Sequence, residues 1–138
     1  MTHHRHRKFN TKDTYPEQRL DNDLCQAVAT RGGTTLWMRG QCPQDLDTAK
    51  NIDSRDPVDQ THKVMQNIRQ LVEENGGRME HVVKLVVYLT DVRHREAVYR
   101  TMGEYIRGVH PVCTGLTVVA LARPEWLVGV DATAVIPG

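Results

Sequence analysis

Two residues near the carboxyl end of the chain can do chemistry and stand out from their surroundings. Cys113 follows His110-Pro111 at the head of one apolar run, and Asp131 interrupts a second one. A thiolate acts as a nucleophile when a neighbouring base takes its proton, and His110 or Asp131 is the candidate base for Cys113. A desolvated carboxylate acts as a general acid or base. Burying a carboxylate is costly unless it is paired or used. Cys113 and Asp131 are therefore the predicted catalytic residues.

Each of these residues also has a purely structural interpretation. Cys113 can be a small, polarisable side chain that lines a pocket, because nothing in the sequence fixes a contact between its sulfur and His110. Asp131 can be held by a backbone N–H or an arginine without taking part in a reaction. The sequence leaves both interpretations open.

The composition limits the class of protein. A chain of 138 residues suits one domain. No apolar run approaches the roughly 20 residues that span a bilayer, and the polar N-terminus is unlike a signal peptide, so a cytoplasmic protein with no membrane partner is expected. The three cysteines are far apart, which predicts neither a disulfide framework nor a zinc site. Four of the 18 basic residues lie in the first 12 positions, so the remaining chain is slightly acidic, which argues against nucleic acid as a partner.

The elements that must position these residues follow from apolar periodicity and turn signals. Residues 1–22 are predicted to be a polar, basic tail that becomes ordered near Tyr15-Pro16, followed by one domain over residues 23–138. A first helix is predicted from Asp56-Pro57 to Gly76-Gly77, because Asp caps a helix start and glycine ends it. The second helix is predicted over 96–107 and the strands over 24–30, 34–41, 82–89, 116–121 and 127–135, with the first two strands joined as a hairpin through Arg31-Gly32-Gly33.

This order of elements, β-β-α-β-α-β-β, predicts an α+β domain with both helices on one face of a mixed sheet. The strands carry more apolar surface than two helices can cover, which predicts self-association. The residues behind that expectation are Val82, Leu85, Val87, Leu116, Val118, Val128 and Val130.

Several short segments resemble, in their order and spacing, the Rid family (reactive intermediate deaminase, also called YjgF). The resemblance runs from about residue 22 to residue 136. The segments are Gln26-Ala27-Val28, Gly40-Gln41, Val82-Val83-Lys84 through Leu89-Thr90-Asp91, and Leu127-Val128-Gly129-Val130-Asp131-Ala132. The resemblance implies a chorismate-mutase-like subunit and a homotrimer with three ligand pockets at its interfaces. It also implies hydrolysis of enamines and imines, such as 2-aminoacrylate, without metal or cofactor.

The resemblance breaks in the pocket. Cys113 stands where deaminating members have an arginine that grips the substrate carboxylate bidentately. Leu24 aligns with the family's first-strand tyrosine, and Tyr99 aligns with an asparagine of the second helix. Asp131 aligns with the glutamate that positions the attacking water, and it keeps the charge. The missing arginine argues against α-imino acids as substrates and leaves another imine, enamine or amide open.

Other pocket residues are expected from their neighbourhood. Arg39 and Arg123 lie close to predicted strand ends, and either is a candidate replacement for the missing anion clamp. The residues expected to bind substrate are Leu24, Arg39, Gly40, Tyr99, His110, Thr114 and Trp126.

Three functions remain open at this point. The first is a small-molecule deaminase or hydrolase that acts on a C–N bond, with its specificity altered by Cys113. The second is a trimer that binds a small ligand or regulates without catalysis. The third is an endoribonuclease, which the acidic body and the absence of a basic, aromatic patch disfavour.

Overall fold

The computed structural model describes residues 3–138, over which the chain forms six strands and three α-helices. Two 3₁₀ turns, Met79–His81 and Val92–His94, precede β4 and α3. The elements are β1 (His4–Asn10), α1 (Thr11–Thr14), β2 (Asp23–Ala29), β3 (Thr34–Trp37), α2 (Pro57–Glu74), β4 (Val82–Leu89), α3 (Arg95–Gly103), β5 (Val112–Thr117) and β6 (Val128–Ile136).

Four of the strands form a mixed sheet in the order β3-β6-β4-β5. The β4–β5 pair is parallel, and the other pairs are antiparallel. Strands β1 and β2 form an antiparallel ribbon, and the Cys25 N–H donates to the Pro111 carbonyl at 3.1 Å, which connects this ribbon to the start of β5. Helices α2 and α3 pack against each other, and α2 packs on β6. The prediction of an α+β domain with a mixed sheet is confirmed.

Helix α2 forms where the sequence predicted it. Asp56 caps the helix by accepting the Val58 N–H at 2.7 Å, and Pro57 occupies the first turn. Gly76 then adopts a positive φ of 81°, which suits the left-handed position after a helix. The apolar stripe of α2 is fully buried at Val64, Met65, Ile68 and Val72.

The prediction that the N-terminal tail becomes ordered only near Tyr15-Pro16 is wrong for the residues described. Residues His4–Asn10 form β1, paired with β2 from His4 opposite Ala29 to Asn10 opposite Asp23. The guanidinium of Arg5 also donates to the Glu80 carbonyl at 2.8 Å. The segment lacks apolar alternation, so its strand structure depends on these nonlocal partners rather than on a local pattern. Met1 and Thr2 lie outside the described residues.

The predicted hairpin between the first two strands of the domain is also wrong. β2 pairs with β1, and β3 pairs with β6, from Thr34 opposite Ile136 to Trp37 opposite Thr133. Gly33 has a positive φ of 74°, and a Cβ there would lie 2.5 Å from the Ile136 carbonyl oxygen. Gly33, one of the two glycines that suggested a turn, therefore allows close approach to the end of β6 instead.

The bounds of β3, β5 and α3 differ from the predicted ones. β3 ends at Trp37 rather than at residue 41, because its pairing with β6 ends there, and β5 ends at Thr117 rather than at residue 121. β5 begins four residues earlier than expected, because its parallel pairing with β4 starts at Val112 opposite Lys84. Cys113 and Thr114 are consequently inside the strand. α3 ends at Gly103, and the N–H groups of Glu104 and Tyr105 bond the carbonyls three residues back, which tightens the last turn.

The sheet has one helix-covered face and one open face. Successive strand residues alternate between faces, so the register defines the open face as Trp37, Lys84, Val86, Tyr88, Thr114, Leu116, Asp131 and Thr133. The reason given for self-association is therefore wrong in part. Five of the seven residues are completely buried within one subunit: Val82, Leu85, Val87, Val128 and Val130. The large apolar side chains left exposed on the open face are Trp37 (79%) and Leu116 (46%).

Candidate active site

Asp131 lies on the open face, on the central strand β6, with its side chain half-buried. Its Oδ2 accepts a hydrogen bond from the hydroxyl of Tyr88 at 3.0 Å, on the neighbouring strand β4. Its Oδ1 lies beside Gly40, where a Cβ would be only 2.5 Å away. The absence of a side chain at residue 40 therefore leaves room directly in front of one carboxylate oxygen.

A cleft of about 360 Å³ opens in front of this carboxylate. Its walls come from the loop after β3, from the loop after β5, and from β4 and β6; they are Gly40, Cys42, Tyr88, Val118, Ala120, Leu121, Gly129, Val130 and Asp131. The hydrogen bond to Asp131 raises the pKa of Tyr88, so its phenol stays protonated and continues to donate. The cleft thus presents one carboxylate with a fixed orientation and an open oxygen.

A second cleft, of about 490 Å³, adjoins the first and shares Gly40 and Cys42 with it. Arg39 and Trp126 line this second cleft. Gln41 exchanges backbone hydrogen bonds with Val130 at 2.8 and 2.9 Å, which fixes this loop against β6. Four of the predicted site residues, Arg39, Gly40, Trp126 and Asp131, are therefore grouped in these two clefts.

Cys113 lies on the other side of the sheet. It is paired with Leu85, whose side chain is buried under the helices, whereas Asp131 is paired with Val86 on the open face. The sulfur of Cys113 contacts the hydroxyl of Tyr99 at 3.9 Å. Burial raises the pKa of Cys113 to about 11. The thiol is therefore protonated near neutral pH, which disfavours a nucleophilic role within one subunit.

Neither predicted base reaches Cys113 within one subunit. No hydrogen bond within residues 3–138 joins the Cys113 sulfur to His110 or to Asp131. His110 adopts a positive φ of 61° in the turn before β5, and its carbonyl accepts from Arg5 at 3.2 Å. One chain therefore does not assemble the cysteine–base pair that the sequence suggested.

The remaining predicted residues are dispersed. Leu24 is 4% exposed and belongs to the hydrophobic core. Thr114 is exposed on the open face, on the edge strand β5. Arg123 lies over the ring of Trp126 at 5.6 Å, away from Cys113.

A cation that the sequence reasoning missed lies next to Cys113. The guanidinium of Arg95, at the start of α3, lies 4.3 Å from the ring centroid of Tyr99 and 5.3 Å from that of Tyr15. Its Nε donates to Gln18 at 3.0 Å. A Cβ at Gly115 would collide with the Tyr99 hydroxyl and lie 3.3 Å from Nη1 of Arg95. Gly115 is therefore what allows both side chains to reach β5.

The sequence does contain signals for the missed residues. Arg95 is four positions before Tyr99, so the two share one face of α3. Tyr88 falls on the same face of β4 as Lys84 and Val86, opposite the apolar positions, as strand alternation requires. Because the partner strands were unknown, neither pattern identified what these side chains touch.

The fold and these clefts define a small α+β domain with a polar site on the uncovered face of its sheet. The family model for endoribonuclease L-PSP matches residues 18–136. Protein DfrA of Myxococcus xanthus is 33% identical over 80% of this chain and 82% of its own length, and a RutC family protein of Pyrococcus abyssi is 29% identical over 77% and 82%. The chain therefore belongs to the Rid (YjgF, endoribonuclease L-PSP) family.

Solved structures show the same fold. A Rid family protein of unknown function from Yersinia pestis, YyfB, superimposes with a TM-score of 0.78 at 24% identity and covers 99% of this chain and 100% of its own. A second one from the same organism, YyfA, has a TM-score of 0.69 at 26% identity and covers 81% and 86%. Within residues 3–138, no helix is long and apolar enough to cross a membrane.

Proposed function

We propose that the protein hydrolyses an imine or enamine of a small molecule to a carbonyl compound and ammonia, at pockets between the subunits of a homotrimer. The observation that carries this proposal is the arrangement of Asp131, whose carboxylate is fixed by Tyr88 and open beside Gly40, in a cleft of about 360 Å³. Family membership supports the same chemistry, because the resemblance to Rid proteins implies it.

Asp131 supplies the base that the reaction requires. A water molecule held by Oδ1 attacks the imine carbon while the carboxylate takes one of its protons, and the electron pair of the C=N bond moves to nitrogen. That proton is delivered to the nitrogen to give the carbinolamine. The carboxylate then takes the hydroxyl proton and passes it to the amine nitrogen as the C–N bond breaks, so that ammonia leaves as the carbonyl forms. This sequence needs one positioned acid–base group and no oxidant or reductant.

A second copy of the chain completes the pocket. Because Cys113 and Asp131 project from opposite faces of one sheet, a pocket that has Asp131 as its base and Cys113 only in its lining must combine residues of two subunits. The open face and the edge strand β5 carry the exposed Trp37 and Leu116, and Val119 follows β5 fully exposed. Covering these side chains with a further copy removes apolar surface from water, which favours association.

Arg95 replaces the missing arginine as the anion-binding group. It reaches β5 at Gly115, two residues after Cys113, and the rings of Tyr15 and Tyr99 hold it in place. Of the alternatives from the sequence, Arg39 lines the cleft that contains Trp126, and Arg123 lies over the Trp126 ring. A guanidinium can bind a carboxylate in two-point fashion, which suits a substrate with an acidic group.

The test is ammonia release from imines produced in situ by an amino-acid oxidase, followed with a coupled dehydrogenase. Asp131→Asn should lower the rate by about 10²-fold or more, because the base is lost. Asp53→Asn, which removes an exposed carboxylate from a loop, is the matched control and should retain the wild-type rate. Arg95→Gln should raise KM for these imino acids, all of which carry a carboxylate, and should leave KM unchanged for an imine that lacks one.

The same preparation distinguishes the alternatives. If the wild-type protein accelerates the hydrolysis of no imine in a broad panel but binds one of the products at 1:1 per chain, the protein is a ligand-binding trimer rather than an enzyme. Leu116→Lys should shift the protein from trimer to monomer in sedimentation, whereas Lys50→Gln should not. A monomeric wild-type protein would contradict the interface pocket.

A further inference from the structure

A third cleft, of about 600 Å³, lies away from Asp131 and shares no lining residue with the two clefts described above. It is formed between β1, the 3₁₀ turn before β4, and the end of β6. We call it the basic cleft, and its lining residues are His3, Arg5, Lys8, Gly76, Arg78, Glu80, His81, Ile136 and Pro137. Three side chains with fixed positive charge, two histidines and one carboxylate therefore face one space.

β1 is irregular at Arg7, and the next residue, Lys8, lines this cleft. Regular alternation would place His3 and Arg5 on one face of the strand and Lys8 on the other. Arg7, however, adopts a left-handed φ of 59°, and the pairing with β2 passes from His6 directly to Lys8. An arginine rarely takes this conformation, which costs free energy, and such strain is often found at binding sites. Three basic side chains of this segment line the cleft: His3 just before β1, and Arg5 and Lys8 within it.

The floor of the basic cleft is rigid. Arg5 donates to the carbonyls of Val82, His110 and Glu80 at 3.1, 3.2 and 2.8 Å. These bonds hold the guanidinium in one orientation, and a guanidinium has further N–H groups to offer. The cation is therefore in place before any ligand arrives, which lowers the entropic cost of binding.

Each of the two histidines has one ring nitrogen bonded to the backbone and a second ring nitrogen left for a ligand. His3 Nε2 donates to the Val135 carbonyl at 2.7 Å, and its buried Nδ1 has no hydrogen-bond partner within residues 3–138. His81 accepts the Arg78 N–H at Nδ1, at 3.0 Å, which leaves its Nε2–H to donate. Burial lowers the pKa of His81, and the charges of Arg78, His3 and Arg5 lower it further against the opposing effect of Glu80. An added anion would relieve this repulsion between neighbouring cations.

We propose that the basic cleft binds the phosphoryl group of a small molecule, a phosphate monoester or a diphosphate. Arg5, Lys8 and Arg78 carry fixed positive charges, and Glu80, paired with Arg78 at 2.7 Å, is the one carboxylate in the lining. An excess of cations from separate elements matches a ligand with two or more negative charges. A volume of about 600 Å³ is within the range of small-molecule sites.

The test is calorimetric titration of the full-length protein with sodium pyrophosphate at low ionic strength. The wild-type protein should bind one pyrophosphate per chain. Lys8→Gln should weaken binding about fivefold, and Lys8→Gln combined with Arg78→Gln at least about tenfold, as expected for lost charge-assisted hydrogen bonds. Glu80→Gln should strengthen binding, because it removes the opposing charge and frees Arg78. These side chains are exposed, so the variants should fold.

Lys50→Gln is the matched control, since Lys50 is an exposed lysine outside the cleft. Its affinity for pyrophosphate should equal that of the wild type. If Lys50→Gln and Lys8→Gln weakened pyrophosphate binding equally, the effect would reflect only the net charge of the protein, and the proposal would be overturned. Absence of saturable binding would overturn it as well. Tighter binding of a single-stranded RNA oligonucleotide than of pyrophosphate, sensitive to the same variants, would replace the small-molecule ligand with RNA. Imine hydrolysis should be unchanged in all of these variants.

Discussion

Substituting Gly40 with alanine tests whether the position of the Asp131 carboxylate controls catalysis. The backbone at Gly40 does not have a positive φ, so alanine is compatible with its conformation. The new methyl group would nevertheless lie 2.5 Å from Asp131 Oδ1, whereas ordinary contact begins at 3.4 Å. The carboxylate must therefore withdraw by about 0.9 Å, or Gly40 must move by the same amount.

A displacement of this size has a large effect on rate and a small effect on stability. A misplacement of about 1 Å in a catalytic constellation can cost about 10²-fold in rate. Overpacking costs about 1–3 kcal/mol, and loss of glycine's freedom in the unfolded chain returns about 0.4–1 kcal/mol, so the net destabilisation should be about 1–2 kcal/mol. Gly40→Ala should thus fold and be nearly inactive.

The assay compares kcat for ammonia release with the midpoint of thermal unfolding. Tyr88→Phe provides the second variant, because it removes the 3.0 Å hydrogen bond to Oδ2 without adding volume. Its kcat should fall by less than that of Gly40→Ala, since the carboxylate is loosened but not displaced. A folded Gly40→Ala protein with the wild-type kcat would refute the assignment of Asp131 as the base.

Three further predictions concern single groups. Because burial raises the pKa of Cys113 to about 11, its alkylation by iodoacetamide should be slow at pH 7 and should accelerate as the pH rises towards the pKa. Fast labelling at pH 7 would contradict the burial. Cys113→Ser should retain activity. Asn22 is completely buried and donates to the Tyr99 carbonyl at 2.6 Å, so Asn22→Ala should lower the free energy of unfolding by about 1–3 kcal/mol in urea titrations, and an unchanged midpoint would show that the bond is dispensable. The hydrogen bond from the Gly108 N–H lowers the pKa of Asp23 below 3.8, so the ionised carboxylate should stabilise the fold above pH 3.8. This stabilisation should be lost as the pH falls through the lower native pKa. Asp23→Asn should make the free energy of unfolding depend less on pH in acid, and an unchanged pH dependence would refute this prediction.

Local patterns in the sequence predicted the elements that carry strong signals. The helix from Pro57 to Glu74 has a capping Asp, a proline in its first turn and a glycine after its end, and each of these acts within a few residues. The strand Val82–Leu89 was evident from its apolar run, although that run suggested cover on both faces and only one face is buried under the helices. The resemblance to the Rid family also came from the sequence, because the framework segments keep their order and spacing.

The candidate site was less predictable because it depends on which strands pair. Asp131 was recognised as unusual from its apolar surroundings, but Tyr88 and the close approach of Gly40 follow from the register between β4, β6 and the loop after β3. The cation near Cys113 was sought at strand ends, whereas it comes from Arg95 on α3. A pattern along one element shows which face a side chain takes, not what lies opposite.

The sequence by itself determined the presence of α2 and α3, the main strands, the family and the unusual carboxylate, because propensity, capping and hydrophobic periodicity are local properties of the chain. Only the tertiary structure decided that residues His4–Asn10 form a strand, that β3 pairs with β6, and that Cys113 and Asp131 lie on opposite faces of the sheet. The physical reason is that a strand satisfies its backbone N–H and C=O groups with a distant partner, and a shift of one residue in that pairing exchanges the two faces. Which side chains meet is therefore fixed by register and packing across the fold.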